Sequence, residues 1–534
     1  AIHWSQEKPH ANYLITLVAG YFQKLEDKAH NVPLAFYTPP SEICEAAASF
    51  RDTREMVEFF EEEIGVPYPW DKYDQVCVND FVAGGMENTS ATTLTDSTLF
   101  TEATENIHNS EGLVSHELSH QWFGDLVTCK DWSHIWLNES FATYYETLYN
   151  GHKNGRDSLL YEMYQRARQI TGMANDTTPI VRRTYQEPSE MFGYLTYPKG
   201  SWVLHMLRSQ LGEDLYRRCI KTYLQRHQYG NVVTDDLRAV IEELSGQTFD
   251  QFFDQWLYHG RFPDLELDYS WDEITKLAKV SIRQTQPVDQ NVLLFNLPLT
   301  LRFQTKTGAA DRVIRVTGKQ EDFHFPLASA PERVRVDPDY TLLAKIKFNI
   351  PQAMLYAQLA DQADVVGRLL AIEQLSGKRD KESLAKLQDT LNHDSFYGVR
   401  LEAAQGLRSV HTDEALEALL ASAQQSDARV RNVVQDALGG FYADKAFAAA
   451  RATLAEEKNP VILATVLRNF GGYAKPEVRA ELLKFLNSQS YREEVAVAAI
   501  SAVRLQDDPS CIEPLRETLS RREADFTSHG LAQG

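Results

Sequence analysis

No CxxC pair occurs in the chain, and its five cysteines (Cys44, Cys77, Cys129, Cys219 and Cys511) are scattered. An odd, sparse set of this kind excludes a disulfide framework and a thiolate metal site, and it reads as free thiols. Long apolar runs are missing too. None approaches the roughly 18 residues that cross a bilayer, and the first residues do not resemble a signal peptide. Basic charge is in deficit: 54 Lys and Arg stand against 75 Asp and Glu, a net charge of −21. That argues against nucleic acid as a partner and mildly favours substrates with a cationic group. The chain opens on Ala1 instead of Met and stops within a helical pattern, so it reads as a fragment. Its compartment stays open, with cytoplasm as the first expectation and periplasm or secretion as alternatives.

A length of 534 residues exceeds what one core supports and predicts two to four domains. In residues 1–40, NYLITLVAG and VPLAFYTPP alternate apolar and polar. They read as the last strands of an N-terminal β domain that is otherwise largely absent. Residues 41–260 mix strands with a dominant helical lobe, an α+β domain. It opens with one long helix, SEICEAAASFRDTREMVEFFEEEIG, ending at Gly65; the strand YDQVCV, GGMEN and the alternating SATTLTDSTLF follow, then near-continuous helix from about 107 to 258. Residues 261–349 turn to strand character in LELDYSW, KVSIRQT, LPLTLRFQT, RVIRVTG and RVRVDPD, a small β-sandwich. From 350 to 534 the chain is helical and repeats: apolar segments at Val399, Val430, Ile462 and Val495 recur at spacings of 31, 32 and 33 residues. This predicts a HEAT-like solenoid, with a generic helical bundle as the alternative. Having no catalytic constellation, the array is expected to act as a lid, wall or protein-docking surface.

The stretch SEGLVSHELSHQWFG predicts a helix capped by Asn109 or Ser110 and ending at Gly124. His116 and His120 are then i and i+4 on one face, close enough for both imidazoles to reach one ion. Glu117 is rotated off the ligand line, where it can address a water on the metal. Glu139 follows after 18 intervening residues, in WLNESFATYYETLYNG, a second helix ending at Gly151. Two His and one carboxylate leave a fourth tetrahedral position open, as in catalytic rather than structural zinc sites. Glu146, two turns beyond Glu139, is placed to accept the outer N–H of a liganding His; a solvated surface glutamate is the plainer alternative.

GGMEN at 84–88, HELSH at 116–120, NES around Glu139 and YPKG at 197–200 appear in that order. Together they resemble the M1 family of zinc aminopeptidases, gluzincins that include aminopeptidase N and leukotriene A4 hydrolase. The resemblance covers about residues 1–350. It implies a thermolysin-like catalytic domain with one Zn2+ per chain on His116, His120 and Glu139, and Glu117 as the base that activates water. It also implies that Gly84, Gly85, Met86, Glu87 and Asn88 form an exposed strand that pairs with a peptide substrate, Glu87 holding its free α-ammonium. Met86 would line the first side-chain pocket. Tyr197 matches the tyrosine that stabilises the oxyanion, with Tyr194 as its rival.

The chain departs from the family at Ser119, where Ala is usual, and at Pro198, where Glu commonly follows the tyrosine. Further polar contacts to the substrate amine, which the family takes from its N-terminal β domain, cannot be assigned to a residue. Three rival readings remain: an epoxide hydrolase like leukotriene A4 hydrolase, which shares these motifs; a zinc endopeptidase, which Glu87 opposes; and a non-catalytic HEAT scaffold, which the intact ligands and base oppose.

Overall fold

A computed structural model describes residues 5–522; residues 1–4 and 523–534, the ends of the first and last expected domains, lie outside them. The chain divides into two compact units, residues 1–99 with 110–354 and residues 100–109 with 355–534.

The first unit is built on a sheet of β1 (Gln23–Ala29), β2 (Val32–Thr38), β3 (Tyr73–Val78), β4 (Gly85–Met86) and β5 (Ala91–Thr95), in the order β1-β2-β3-β5-β4. β1 and β2 form a hairpin, β2 pairs in parallel with β3, and β3 in parallel with β5. Of the two strands expected to end a separate β domain, NYLITLVAG does not form one: Asn12–Leu14 make a 3-10 turn, and no strand follows before Gln23. VPLAFYTPP supplies β2, which with β1 belongs to the sheet that carries GGMEN. The physical reason lies in their buried face. Leu34 and Phe36 point into the core of this unit, and the Phe36 ring stacks on Phe50 at 4.7 Å. That same contact breaks the single helix expected over 41–65. It becomes α1 (Ile43–Ser49) and α2 (Thr53–Ile64), with Phe50 turned inward at the joint.

The helical lobe follows as α3 (Glu111–Ser119), α4 (Trp136–Asn154), α5 (Arg156–Gly172), α6 (Gly200–Leu211), α7 (Glu213–His227), α8 (Thr234–Ser245) and α9 (Asp250–Phe253). α3 ends at Ser119, earlier than the Gly124 expected, because the chain must turn into β6 (Val127–Cys129), which pairs in parallel with β7 (Gly230–Val232). α4 runs past Gly151 to Asn154 and stops at Gly155, whose φ is +88°.

Seven strands come next: β8 (Asp264–Asp272), β9 (Leu277–Gln284), β10 (Leu297–Thr305), β11 (Gly308–Val316), β12 (Gln320–Pro326), β13 (Arg333–Val336) and β14 (Lys345–Asn349). They form two sheets, β12-β9-β8-β14 and β11-β10-β13. Alternate residues face inward, Ala278, Val280 and Ile282 from β9 and Leu299, Leu301 and Phe303 from β10. This core continues without a break into that of the helical lobe through Trp256 and Phe262.

The second unit is helical from α10 (Gln352–Leu359) to α20 (Ile512–Arg522). Its four aligned repeats coincide with α13 (Tyr397–Val410), α15 (Ala428–Gly439), α17 (Pro460–Phe470) and α19 (Glu494–Arg504), each packed on the next. Segment 100–109, which leads from β5 to α3, belongs to this unit. The whole is a mixed α/β chain with a C-terminal helical repeat array. Among the described residues no helix is long and apolar enough to cross a membrane.

Candidate metal centre

α3 presents His116 and His120 on one face, and α4 brings Glu139 against them from the side. His116 Nε2 and His120 Nε2 are 3.2 Å apart, and Glu139 Oε2 lies 3.5 Å from the first and 3.3 Å from the second. A tetrahedral ion with bonds of about 2.0–2.1 Å sets its ligand atoms about 3.3–3.4 Å apart, so these three edges suit one such ion. The protons fit as well. His120 Nδ1 donates to the Phe123 carbonyl at 2.9 Å, and His116 Nδ1 faces Glu146 Oε2 at 3.3 Å. With both Nδ1 protons directed outward, both Nε2 lone pairs converge beside a carboxylate. That donor set could hold a metal ion.

The carboxylates differ in charge state. Burial opposes the ionisation of Glu139, yet the two imidazoles override it and bring the group down to about 2. Glu117 is also buried, and burial, with Glu87 and Glu139 adding, pushes it up to about 7. Burial likewise raises Glu87. The nearest candidate ligand atoms of Glu87, Glu117 and His120 lie within 4.8 Å of one another, so the end of GGMEN adjoins α3.

GGMEN itself follows from pairing and close approach. Gly85 and Met86 pair with Leu94 and Thr93 of β5, and Gly84 O accepts from Thr95 N at 2.9 Å. As the last strand in the sheet order, β4 keeps its other edge for a further strand. A Cβ built on Gly85 would overlap the Glu117 carboxylate, so only glycine lets this strand lie against that side chain. The loop beyond is tied down by two side chains. Asn88 Oδ1 accepts from Thr93 Oγ1 at 2.8 Å, while Gln121, next to the second histidine, donates to Glu87 O at 3.3 Å and accepts from Ser90 N at 2.8 Å.

Tyr197 lies in a π-helical turn, Leu195–Lys199, where Lys199 N bonds back five residues to Tyr194 O. Pro198 has no N–H to give, which favours the widened turn. A Cβ on Gly200 would overlap the Ser140 hydroxyl, which itself donates to Thr196 O at 2.5 Å and ties the turn to α4. The Tyr197 ring stacks on His116, centroids 6.0 Å apart, with its hydroxyl toward Glu139. Tyr194 takes another direction: its hydroxyl donates to Asp176 Oδ2 at 2.6 Å.

The structure thus brings together His116, His120, Glu139, Glu117, Glu87, Glu146 and Tyr197. Sequence reasoning missed Gln121, Asn138 and Arg166. Asn138 accepts from Cys129 N at 3.1 Å and donates to the Tyr13 hydroxyl at 3.2 Å, fixing the residue before Glu139. Their places beside HELSH and NES were the available signals for Gln121 and Asn138.

Residues 48–256 match the Peptidase family M1 domain, and residues 353–439 match HEAT repeats. Aminopeptidase N of Streptomyces lividans is 31% identical over 294 residues, 52% of this chain and 34% of that protein. Aminopeptidase N of Rattus norvegicus is 31% identical over 345 residues, 60% of this chain and 35% of that protein. The chain thus spans about a third of the length of these relatives. Among solved structures, Legionella pneumophila aminopeptidase A in complex with aspartic acid superposes with a TM-score of 0.72, covering 99% of this chain and 79% of that one, at 15% identity. That last likeness is one of fold. The helices with the histidine–carboxylate cluster, the GGMEN strand and the tyrosine turn all fall within the first matched region, and the chain therefore carries a peptidase family M1 domain followed by HEAT repeats.

Proposed function

We propose that the chain is a zinc-dependent aminopeptidase, taking single residues from peptides with a free N-terminus. One observation carries the reading: the buried carboxylate of Glu87 directly follows an open-edged strand and lies beside the histidine–carboxylate cluster. A carboxylate in that place recognises a charged amine and opposes an uncharged backbone that continues through the site. The M1 domain and relatives named as aminopeptidases support the same reading.

His116, His120 and Glu139 would hold the zinc, one ion per chain. Bound zinc would supply a Lewis acid that polarises the scissile carbonyl and acidifies water. The outer edge of β4 takes the substrate backbone as an added strand, and Met86 lines the wall of the first side-chain pocket. Glu87 fixes the α-ammonium, which places the first peptide bond over the cluster. Glu117 takes the proton of the attacking water on its carboxylate and passes it to the leaving amine. Tyr197 donates its O–H to the oxyanion as it forms.

The test compares one peptide with its amine free and acetylated, in wild type and in Glu87→Gln. Acetylation removes the ammonium and leaves Glu87 unpaired, a penalty on the order of 2–5 kcal/mol. Wild type should strongly prefer the free amine, and the variant should lose much of that preference. Equal cleavage of both peptides by wild type, or cleavage at internal bonds, rules out the aminopeptidase reading.

A further inference from the structure

The two histidines of the cluster are steadied differently. His120 is held by a main-chain carbonyl, Phe123 O, which the fold fixes. His116 is held by the Glu146 side chain, which has rotatable bonds and needs an anchor of its own. That anchor comes from α5. Arg166 Nη2 lies 3.2 Å from Glu146 Oε1, while Glu146 Oε2 faces His116 Nδ1, so the two carboxylate oxygens are shared between a guanidinium and an imidazole. Arg166 is anchored in turn: Nε and Nη2 donate to Glu162 Oε1 at 3.1 and 2.5 Å. Glu162 accepts from Thr147 Oγ1 at 2.7 Å and from Asn150 Nδ2 at 2.6 Å, both on α4.

We propose that Arg166 is a positioning residue for the metal centre, acting on His116 through Glu146. This rests on the zinc site described above. A planar guanidinium can bridge two carboxylates at once and still keep each in a defined orientation, which an ammonium does less well. α4 thus contributes twice, with Glu139 as a ligand and Glu146 as the brace of another ligand, and Arg166 locks the brace. Without Arg166 the Glu146 carboxylate turns away or stands uncompensated, and the His116 ring loses its fixed orientation.

The test measures zinc affinity of the full chain by competition with a chelating indicator, for wild type, Arg166→Met, Arg166→Lys, Glu146→Gln and the double variant Glu146→Gln/Arg166→Met. His120→Ala serves as the variant that loses a ligand outright. Partners that orient a metal-ligating histidine are typically worth 10–100-fold in metal affinity. Arg166→Met should weaken zinc binding by about 10-fold, the low end of that range. Arg166→Lys should fall between it and wild type. The double variant should bind no more weakly than Glu146→Gln alone, because Arg166 works through that carboxylate. Should Arg166→Met fail to fold, Glu162→Gln loosens the same guanidinium and should weaken zinc binding in the same direction. Unchanged affinity in whichever of these two variants folds, or fully additive losses in the double variant, overturns the inference alone. A wild-type chain that takes up no zinc overturns it together with the function it rests on.

Discussion

At the scale of single residues, the two tyrosines of FGYLTYPKG make the sharpest contrast. Burial, helped by Glu139, Glu87 and Glu117, raises the Tyr197 phenol well above its ordinary value, so it keeps its proton and remains a donor near neutral pH. Tyr197→Phe keeps the ring against His116 and removes only that donor. The loss of one oxyanion donor typically costs about 10²–10³ in kcat, with KM little changed. Tyr194→Phe removes a bond to a carboxylate of another loop, Asp176, worth about 1.5–3 kcal/mol of stability, and should leave kcat near wild type. Steady-state kinetics on the two variants, with a thermal melt of each, separates the roles. A lost kcat in Tyr194→Phe with a normal one in Tyr197→Phe would exchange them.

At the scale of elements, β4 shows how narrowly the site is packed. A methyl at Gly85 overlaps the Glu117 carboxylate, whereas one at Gly84 meets only Leu113 Cδ1 at 3.4 Å, an ordinary contact. Gly85→Ala should therefore displace Glu117 or the strand, destabilising by about 1–3 kcal/mol and abolishing turnover. Gly84→Ala should be close to neutral in both respects, and urea titration with an activity assay checks the pair. Element by element, the sequence was legible where a local period carried the information. His116 and His120 one turn apart, and the apolar repeats at Val399, Val430, Ile462 and Val495, are of this kind. It was illegible where a distant partner decided the outcome. The split between α1 and α2 depends on Phe50 stacking on Phe36, and α3 stops early because the chain must reach β6. Alternation announces β2 but cannot say which sheet it joins, which was decided by β3, some forty residues on. The same alternation in NYLITLVAG announces a strand that does not form. Arg166 sits four residues after Glu162, and in sequence such a pair looks like any solvated helix face.

At the scale of the whole molecule, the chain enters its helical unit twice, and the first entry is ten residues long. Segment 100–109 leaves the five-stranded sheet after β5 and returns one residue before α3, yet its side chains are held by the repeats. Glu105, at a φ of +53°, accepts from Arg431 Nη2 at 2.6 Å and from Asn459 Nδ2 at 3.1 Å. Arg431 is steadied by Glu457 at 2.8 Å. Ile107 packs on Ala428, Ile462 and Val466, the facing residues of α15 and α17. One occupant of the helical array is therefore the chain itself, bound across two consecutive repeats as a short peptide would be. A solenoid is stabilised mainly by contacts between neighbouring repeats, so a residue spanning two of them should matter more than its length of chain suggests. Ile107→Ala removes a half-buried side chain and should destabilise the helical unit by about 1–3 kcal/mol. Hydrogen exchange should then show faster amides in α15 and α17, more than 300 residues away in sequence, with the amides of α3 little changed. Glu105→Gln weakens the charge-assisted bond to Arg431 and should give a smaller effect on the same helices. Were faster exchange to appear in α3 instead, with α15 and α17 still protected, the segment would belong energetically to the first unit, and its contacts with the repeats would add little.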